Sequence, residues 1–293
     1  YQFYPAGMFS HARFTYTEVA AILANTRGPE ASKRKDRVKD LLNLHDVYRA
    51  LLIARQARGA VDFETTETQI VCDENGRIEK IVPRTRNDAH KLIEEAMLAA
   101  NECAAGFIEA ADHPALFRVH EGPTPERRVP LQNYLRALGI GLHLSDDPTP
   151  GELQTIALAT KDRPDVTQIH TMLLRSMQQA VYTSANAGHF GLAYGAYAHF
   201  TSPIRRYPDL LVHRVIKAIL AKTKYALPVL PTPGEAHAKL SKRLEKNLAS
   251  KVAEPGQKSR KLSADMLAWQ SAGLHCSANE RRADEASRDV GAW

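Results

Sequence analysis

Apolar positions recur along this chain with two periods, one helical and one alternating, and the switches between them outline its elements. Thr15-x-x-Glu18 has the spacing of a capping box, and Val19, Ile22 and Leu23 behind it share one helix face. A long helix follows over residues 32–58, with Val38, Leu41, Leu42, Val47, Leu51 and Leu52 as its apolar stripe and Gly59 as its stop. Residues 61–72 and 77–82 flank Glu74-Asn75-Gly76, a hairpin signal. Asn87 caps a helix reaching to about residue 111, and residues 115–120 read as a strand. Short helices fill residues 130–182, one of them opened by Thr149-Pro150-x-Glu152. A strand over about residues 190–197 leads through a loop into the apolar helix 210–220, and a last helix starts near residue 263. There is no internal repeat. The pattern predicts an α+β protein with a curved mixed or antiparallel sheet wrapped by helices, large enough for one big domain or two small ones.

Composition narrows the class. Hydrophobic residues make up 44% and charged residues 25%, as in a soluble globular protein. No apolar run approaches the roughly 18 residues of a membrane span, and no signal peptide opens the chain. Cys72, Cys103 and Cys276 are odd in number, far apart and without C-x-x-C spacing, so free thiols in a reducing cytoplasm are expected. The chain starts at Tyr1 in an alternating stretch (Tyr1, Phe3) that reads as a strand, and ends at Trp293 inside a helical pattern, so both ends read as cut.

Charge is uneven. Residues 221–261 hold ten Lys or Arg against three Glu, a surplus larger than the +6 of the whole chain. Pro228, Pro231, Pro233, Gly234, Pro255 and Gly256 break that segment, leaving one short basic helix over residues 235–250. A solvated insertion of variable length accounts for it; so does a basic patch attracting a nucleic-acid backbone.

The densest chemistry lies in residues 197–214, Y-A-H-F-T-S-P-I-R-R-Y-P-D-L-L-V-H-R. Ser202-Pro203 and Tyr207-Pro208 each offer a proline suited to a first helical turn. With either start, Arg205 and Arg206 sit at or just before a helix N-terminus, where free N–H groups and the dipole favour an anion. Two guanidinium forks there make a phosphate site. An arginine pair satisfying Asp209 and nearby carbonyls is the plain alternative.

A-H-F-T-S-P-I-R-R-Y-P-D-L closely resembles the hallmark of the RNB family of processive 3′-to-5′ exoribonucleases, nearer its bacterial ribonuclease R branch than ribonuclease II. Ser10-His11-Ala12-Arg13-Phe14-Thr15-Tyr16, the stretch from Arg86 to Glu95, Met172-Leu173-Leu174-Arg175-Ser176-Met177, Gly188-His189-Phe190-Gly191-Leu192 and Glu280-Arg281-Arg282-Ala283-Asp284-Glu285-Ala286 resemble further family blocks, in family order. The resemblance implies the later two-thirds or so of one RNB catalytic domain, with the insertion at about 221–261. The family's cold-shock-type and S1-type RNA-binding domains are not in this chain. It also implies hydrolysis of single-stranded RNA to 5′-mononucleotides with little sequence preference, in the cytoplasm, by a protein monomeric in its full-length form.

By resemblance, Arg205 is the arginine placed on the scissile phosphate, with Arg206 beside it. Phe63 stacks on a terminal base, and Tyr16 and Glu94 recognise ribose. Without the resemblance, Phe63 reads as strand core, Tyr16 as a helix-start residue and Glu94 as half of an exposed Glu-Glu pair. His199, Tyr207 and Asp209 flank the arginines and are expected to orient them, and His213 is a packed helix residue. The family uses Mg²⁺ held by an aspartate cluster early in the catalytic domain. Asp146-Asp147, Asp162 and Asp165 do not resemble that cluster and read as turn and cap residues; His90 and Glu94, one turn apart, lack a third ligand. No metal ligand is therefore assigned, the Mg²⁺ ligands are expected upstream, and the isolated fragment is expected to be inactive. A non-catalytic RNA-binding relative that has lost its acidic cluster is the alternative, and a DNA-directed nuclease fragment is a weaker one.

Overall fold

The structure is a computed structural model, and it describes residues 1–61, 68–83, 86–228 and 264–291. The helices are α1 (Tyr16–Ala24), α2 (Pro29–Lys33), α3 (Val38–Arg58), α4 (Asp88–Ala110), α5 (Pro125–Ala137), α6 (Pro150–Ala159), α7 (Val166–Ser176), α8 (Tyr207–Leu220) and α9 (Ala264–Gly291). The strands are β1 (Thr68–Cys72), β2 (Ile78–Pro83), β3 (Phe117–Val119) and β4 (Val181–Thr183). The class is α+β. Among the described residues, its sheet consists of two antiparallel pairs, β1 with β2 and β3 with β4. None of the described helices is long and apolar enough to cross a membrane.

The chain divides into two compact units, one of Tyr1–Pro5, Ala100–Pro150 and Leu173–Trp293, the other of Ala6–Ala99 and Gly151–Met172. In the second unit the capping box forms as expected. The Thr15 side chain accepts from the Glu18 N–H, and the Glu18 carboxylate accepts from the Thr15 N–H at 2.7 Å. The helix expected over residues 32–58 is broken instead into α2 and α3. The break falls among Lys33, Arg34, Lys35 and Arg37, where like charges one turn apart oppose a helix. Arg34 there turns to tertiary partners, donating to the Arg13 carbonyl, pairing with Glu18 and covering the Phe14 ring at 4.9 Å. Gly59 stops α3 as expected, in the left-handed region at φ 74°. The buried line of α3 also differs: Val47 faces solvent, whereas Tyr48 and Arg55 are buried. Arg55 tolerates this position because Glu95 of α4 meets it at 2.8 Å. Asn87 caps α4, its side-chain oxygen accepting from the His90 N–H. The hairpin turns at Asp73 to Gly76, with the Asp73 carboxylate accepting from the Asn75 and Arg77 N–H groups.

The first unit is built on a core of Ala104, Ala105 and Ile108 from α4, Leu116, Phe117 and Val119 at β3, Leu211, Val212, Val215 and Ile216 from α8, and Trp269 and Ala272 from α9. Helix α9 presses directly on β4. A Cβ at Gly273 would lie 2.6 Å from the Tyr182 carbonyl oxygen, so only glycine permits the approach. Ser277, one turn later, accepts from the Tyr182 N–H at 2.9 Å and donates to the Gly273 carbonyl.

Three expectations fail in this unit. No strand forms at Tyr1 and Phe3; Phe3 instead packs edge-on against Phe200 and tilted against Phe107. Residues 181–183 are strand β4 rather than helix, since Val-Tyr-Thr is a β-favouring triplet and pairs with β3. The strand expected near 190–197 is a 3₁₀ turn at Phe190–Leu192, because Gly188 and Ala193 take positive φ and His189 caps the turn with its own ring. Its two ends still dock beside β3: Phe190 N–H donates to the His120 carbonyl and Arg118 N–H to the Tyr197 carbonyl.

Candidate functional site

The arginine loop takes its shape from one buried carboxylate. Tyr207 and Pro208 open α8, so the second proline starts the helix and Arg206 is its N-cap. Asp209, in the first turn, is 0% exposed and accepts at one oxygen from both the Ser202 N–H and the Arg206 guanidinium, each at 2.8 Å. The Ser202 carbonyl closes the loop by accepting from the Arg205 and Arg206 N–H groups. Asn101 of α4, 3% exposed, holds the other side: its oxygen accepts from the Phe200 and Thr201 N–H groups and its amide donates to the Tyr197 hydroxyl. His213 stacks on Phe200 at 4.2 Å and donates to its carbonyl, the packed role expected of it.

This frame separates the two arginines. Arg206 is half-buried and tied to Asp209. Arg205 is exposed, and its side chain makes no hydrogen bond or ion pair among the described residues. Beneath the loop, the Tyr182 hydroxyl and His199 Nδ1 share a hydrogen bond at 2.8 Å, and Arg118 covers the Tyr182 ring at 4.5 Å while bound to Glu280 of α9 at 2.7 Å. Burial first, then the charges of Arg206, Arg118, His189 and Arg205, pull His199 down to about 2, so it is a neutral hydrogen-bonding group. Burial likewise pulls His189 down to about 3 and drives the Tyr182 phenol upward. Arg118 and Arg206 thus each have a carboxylate, and the unmatched cation among the described residues of the loop is the exposed one.

In the other unit the structure brings Tyr16 and Glu94 to one patch. The Tyr16 ring stacks on His90 at 4.0 Å, and Glu94, one helical turn after His90, binds the Arg86 guanidinium. Glu94 and Glu95 are not the exposed pair that the sequence suggests, since Glu95 is buried against Arg55 and burial raises its carboxyl. Arg205, Arg206, His199, Tyr207 and Asp209 belong to the first unit, Tyr16 and Glu94 to the second; Phe63 lies outside the described residues, as does the basic segment beyond residue 228. Among the described residues, no three His, Cys, Asp or Glu side chains are grouped to hold a metal, so they do not fit Mg²⁺.

Sequence reasoning misses Asn101, Tyr182 and Arg118. Asn101 carries a signal: it is an amide in line with Ala104, Ala105 and Ile108 on a helix face that is otherwise apolar. Arg118 and Tyr182 carry none, because they meet across β3 and β4, whose pairing the sequence pattern does not reveal.

An RNB domain model matches residues 1–222. Ribonuclease R of Escherichia coli K12 is 43% identical over 293 residues, covering all of this chain and 33% of that protein. Ribonuclease R of Thermotoga maritima is 40% identical over 292 residues, covering 99% of the chain and 36% of the relative. The chain therefore spans about a third of the length of the curated relatives it matches. Among solved structures, Mycoplasma genitalium RNase R in complex with ribose-methylated single-stranded RNA aligns with a TM-score of 0.66 at 25% identity, over 92% of this chain and 38% of that one.

Proposed function

This chain belongs to the RNB family, and on that footing we propose that it is the substrate-holding portion of a hydrolytic, processive exoribonuclease, one that degrades single-stranded RNA from the 3′ end to 5′-mononucleotides. Arg205 is the observation that carries this reading. An exposed guanidinium, unpaired among the described residues and two positions before a fourteen-residue helix, adds a planar, permanently charged fork to a helix end that already favours anions. Fixed there, it binds the scissile phosphate and offsets charge that grows on its oxygens in the transition state. Arg206, Asp209 and Asn101 hold its backbone in place, and His199 and Tyr207 complete the surroundings. Tyr16 and Glu94 recognise ribose, and Phe63 stacks on a terminal base, a contact every base allows.

Divalent-metal dependence belongs to the same proposal. The ligands are assigned upstream of this chain, because its aspartates do not resemble the cluster by which the family holds the ion. A cytoplasmic protein acting as a single polypeptide is part of the proposal as well. Incubating the 293-residue chain with end-labelled single-stranded RNA and Mg²⁺ tests the division of labour. RNA should be bound but not shortened, and metal-dependent release of mononucleotides would overturn the assignment.

A further inference from the structure

We propose, resting on the ribose-reading role given above to Tyr16 and Glu94, that His90 and Arg86 set the sugar preference of that patch, His90 by fixing the Tyr16 ring and Arg86 by holding the Glu94 carboxylate. Tyr16 is the first residue of α1 and 42% exposed, so its own element does little to fix its ring. The ring it lies on does. The two planes are 18° apart at 4.0 Å, and Asn87 Oδ1 stands 2.7 Å from His90 Nδ1, which pins the platform to the cap of α4. A stacked phenol keeps one tilt, and a ribose hydroxyl, both donor and acceptor, is recognised only by groups held at a set distance and angle.

Glu94 poses a different difficulty. A carboxylate only accepts, so it suits a hydroxyl proton, but beside an RNA backbone it would also repel phosphates. Arg86 answers both points by pairing with Glu94, its side chain 41% exposed against 43% for the glutamate. The pair is close to neutral toward the backbone, while the remaining carboxylate lone pairs stay available to the sugar. In isolation such a surface pair adds little to stability, so its contribution here is to orientation.

Dissociation constants for matched RNA and DNA oligonucleotides, measured with the purified protein in EDTA at one salt concentration, test this. Tyr16→Phe with Glu94→Ala reports the sugar-reading groups themselves. The ratio of DNA to RNA dissociation constants should fall about fivefold or more, the size of one hydrogen bond. His90→Ala and Arg86→Gln should each lower the same ratio about threefold. His90→Phe, which keeps a ring to stack on, should hold it near the parent value. An unchanged ratio in the Tyr16/Glu94 variant would remove the ribose role and this inference with it. A ratio that falls there but not in His90→Ala or Arg86→Gln would remove the inference alone. Equal weakening of RNA and DNA by Arg86→Gln would make Arg86 a backbone contact and overturn its part.

Discussion

Arg205 and Arg206 are chemically identical neighbours with opposite surroundings, and a buried carboxylate three residues after Arg206 makes the difference. Asp209 is wholly buried beside the Ser202 N–H and Arg206, and both donate to the same one of its oxygens. Arg205 is thereby left on the surface with its charge unmatched among the described residues. Replacing Arg205 with Lys in the hydrolytically competent enzyme keeps the charge but loses the fork. Turnover should fall about a hundred- to a thousand-fold, roughly 2.7 to 4 kcal/mol of transition-state stabilisation. Its thermal midpoint should stay within about a degree or two of the parent, since the side chain is exposed. Arg206→Lys should show the reverse pattern, a lower midpoint first, because Asp209 would lose a well-placed partner in a dry site. Steady-state rates and melting curves on the two variants separate these outcomes; near-normal turnover by the Arg205→Lys enzyme would exchange the roles.

At the scale of elements, two glycines show how closely parts of the chain approach each other. Gly59 is predictable as a helix stop, and it takes the left-handed conformation a stop requires. Gly273 sits inside α9, where helix propensity alone would favour alanine by about 1 kcal/mol. Its neighbour reverses that preference, because an added Cβ would meet the Tyr182 carbonyl at 2.6 Å and the Thr183 Cα at 3.1 Å. Backbone cannot swing aside as a side chain can. Gly273→Ala should therefore destabilise by about 1 to 3 kcal/mol despite its better propensity. Chemical denaturation measures it, and a stabilised variant would mean that α9 does not lie against β4 as described. Such elements differ in how much the sequence reveals. The capping box at Thr15, the hairpin turn at Gly76 and the cap at Asn87 depend on residues within a few positions of one another, and all three form. Strand β4 depends on pairing with β3 some sixty residues away, and three β-favouring residues at the end of a span read as helical do not announce it.

For the molecule as a whole, the buried histidines set how stability responds to pH. His189 and His199 are held neutral, with folded values of about 3 and about 2, well below the roughly 6.5 of an unfolded chain. The unfolded chain therefore binds protons that the folded protein refuses. The stability this confers is fully present above about pH 6.5 and is lost as the pH falls toward the folded values. Each histidine contributes up to about 1.4 kcal/mol per pH unit over that range. Glu95 acts with the opposite sign, because its folded value is raised and it stabilises most when protonated. Denaturation midpoints taken from about pH 7.5 down to about 5 should hold nearly level to about pH 6.5 and then fall in the parent. His199→Gln, which cannot titrate, should show a shallower decline, and an identical slope would mean that His199 is protonated in the folded state.

Within this sequence, local rules and motif spacing determined the family, the α+β class, most helix starts and the place of the arginine loop. Each of these follows from residues close together in the chain, where capping, turn chemistry and helical periodicity act. Tertiary structure decided which arginine is left exposed, because that depends on Asp209 being wholly buried and on Asn101, a hundred positions before Thr201, gripping the same loop. It also decided that Glu95 is buried while Glu94 is not, and that Tyr16 rests on His90. Burial and partner choice are set by what packs against a side chain from distant parts of the chain, and no local pattern encodes them.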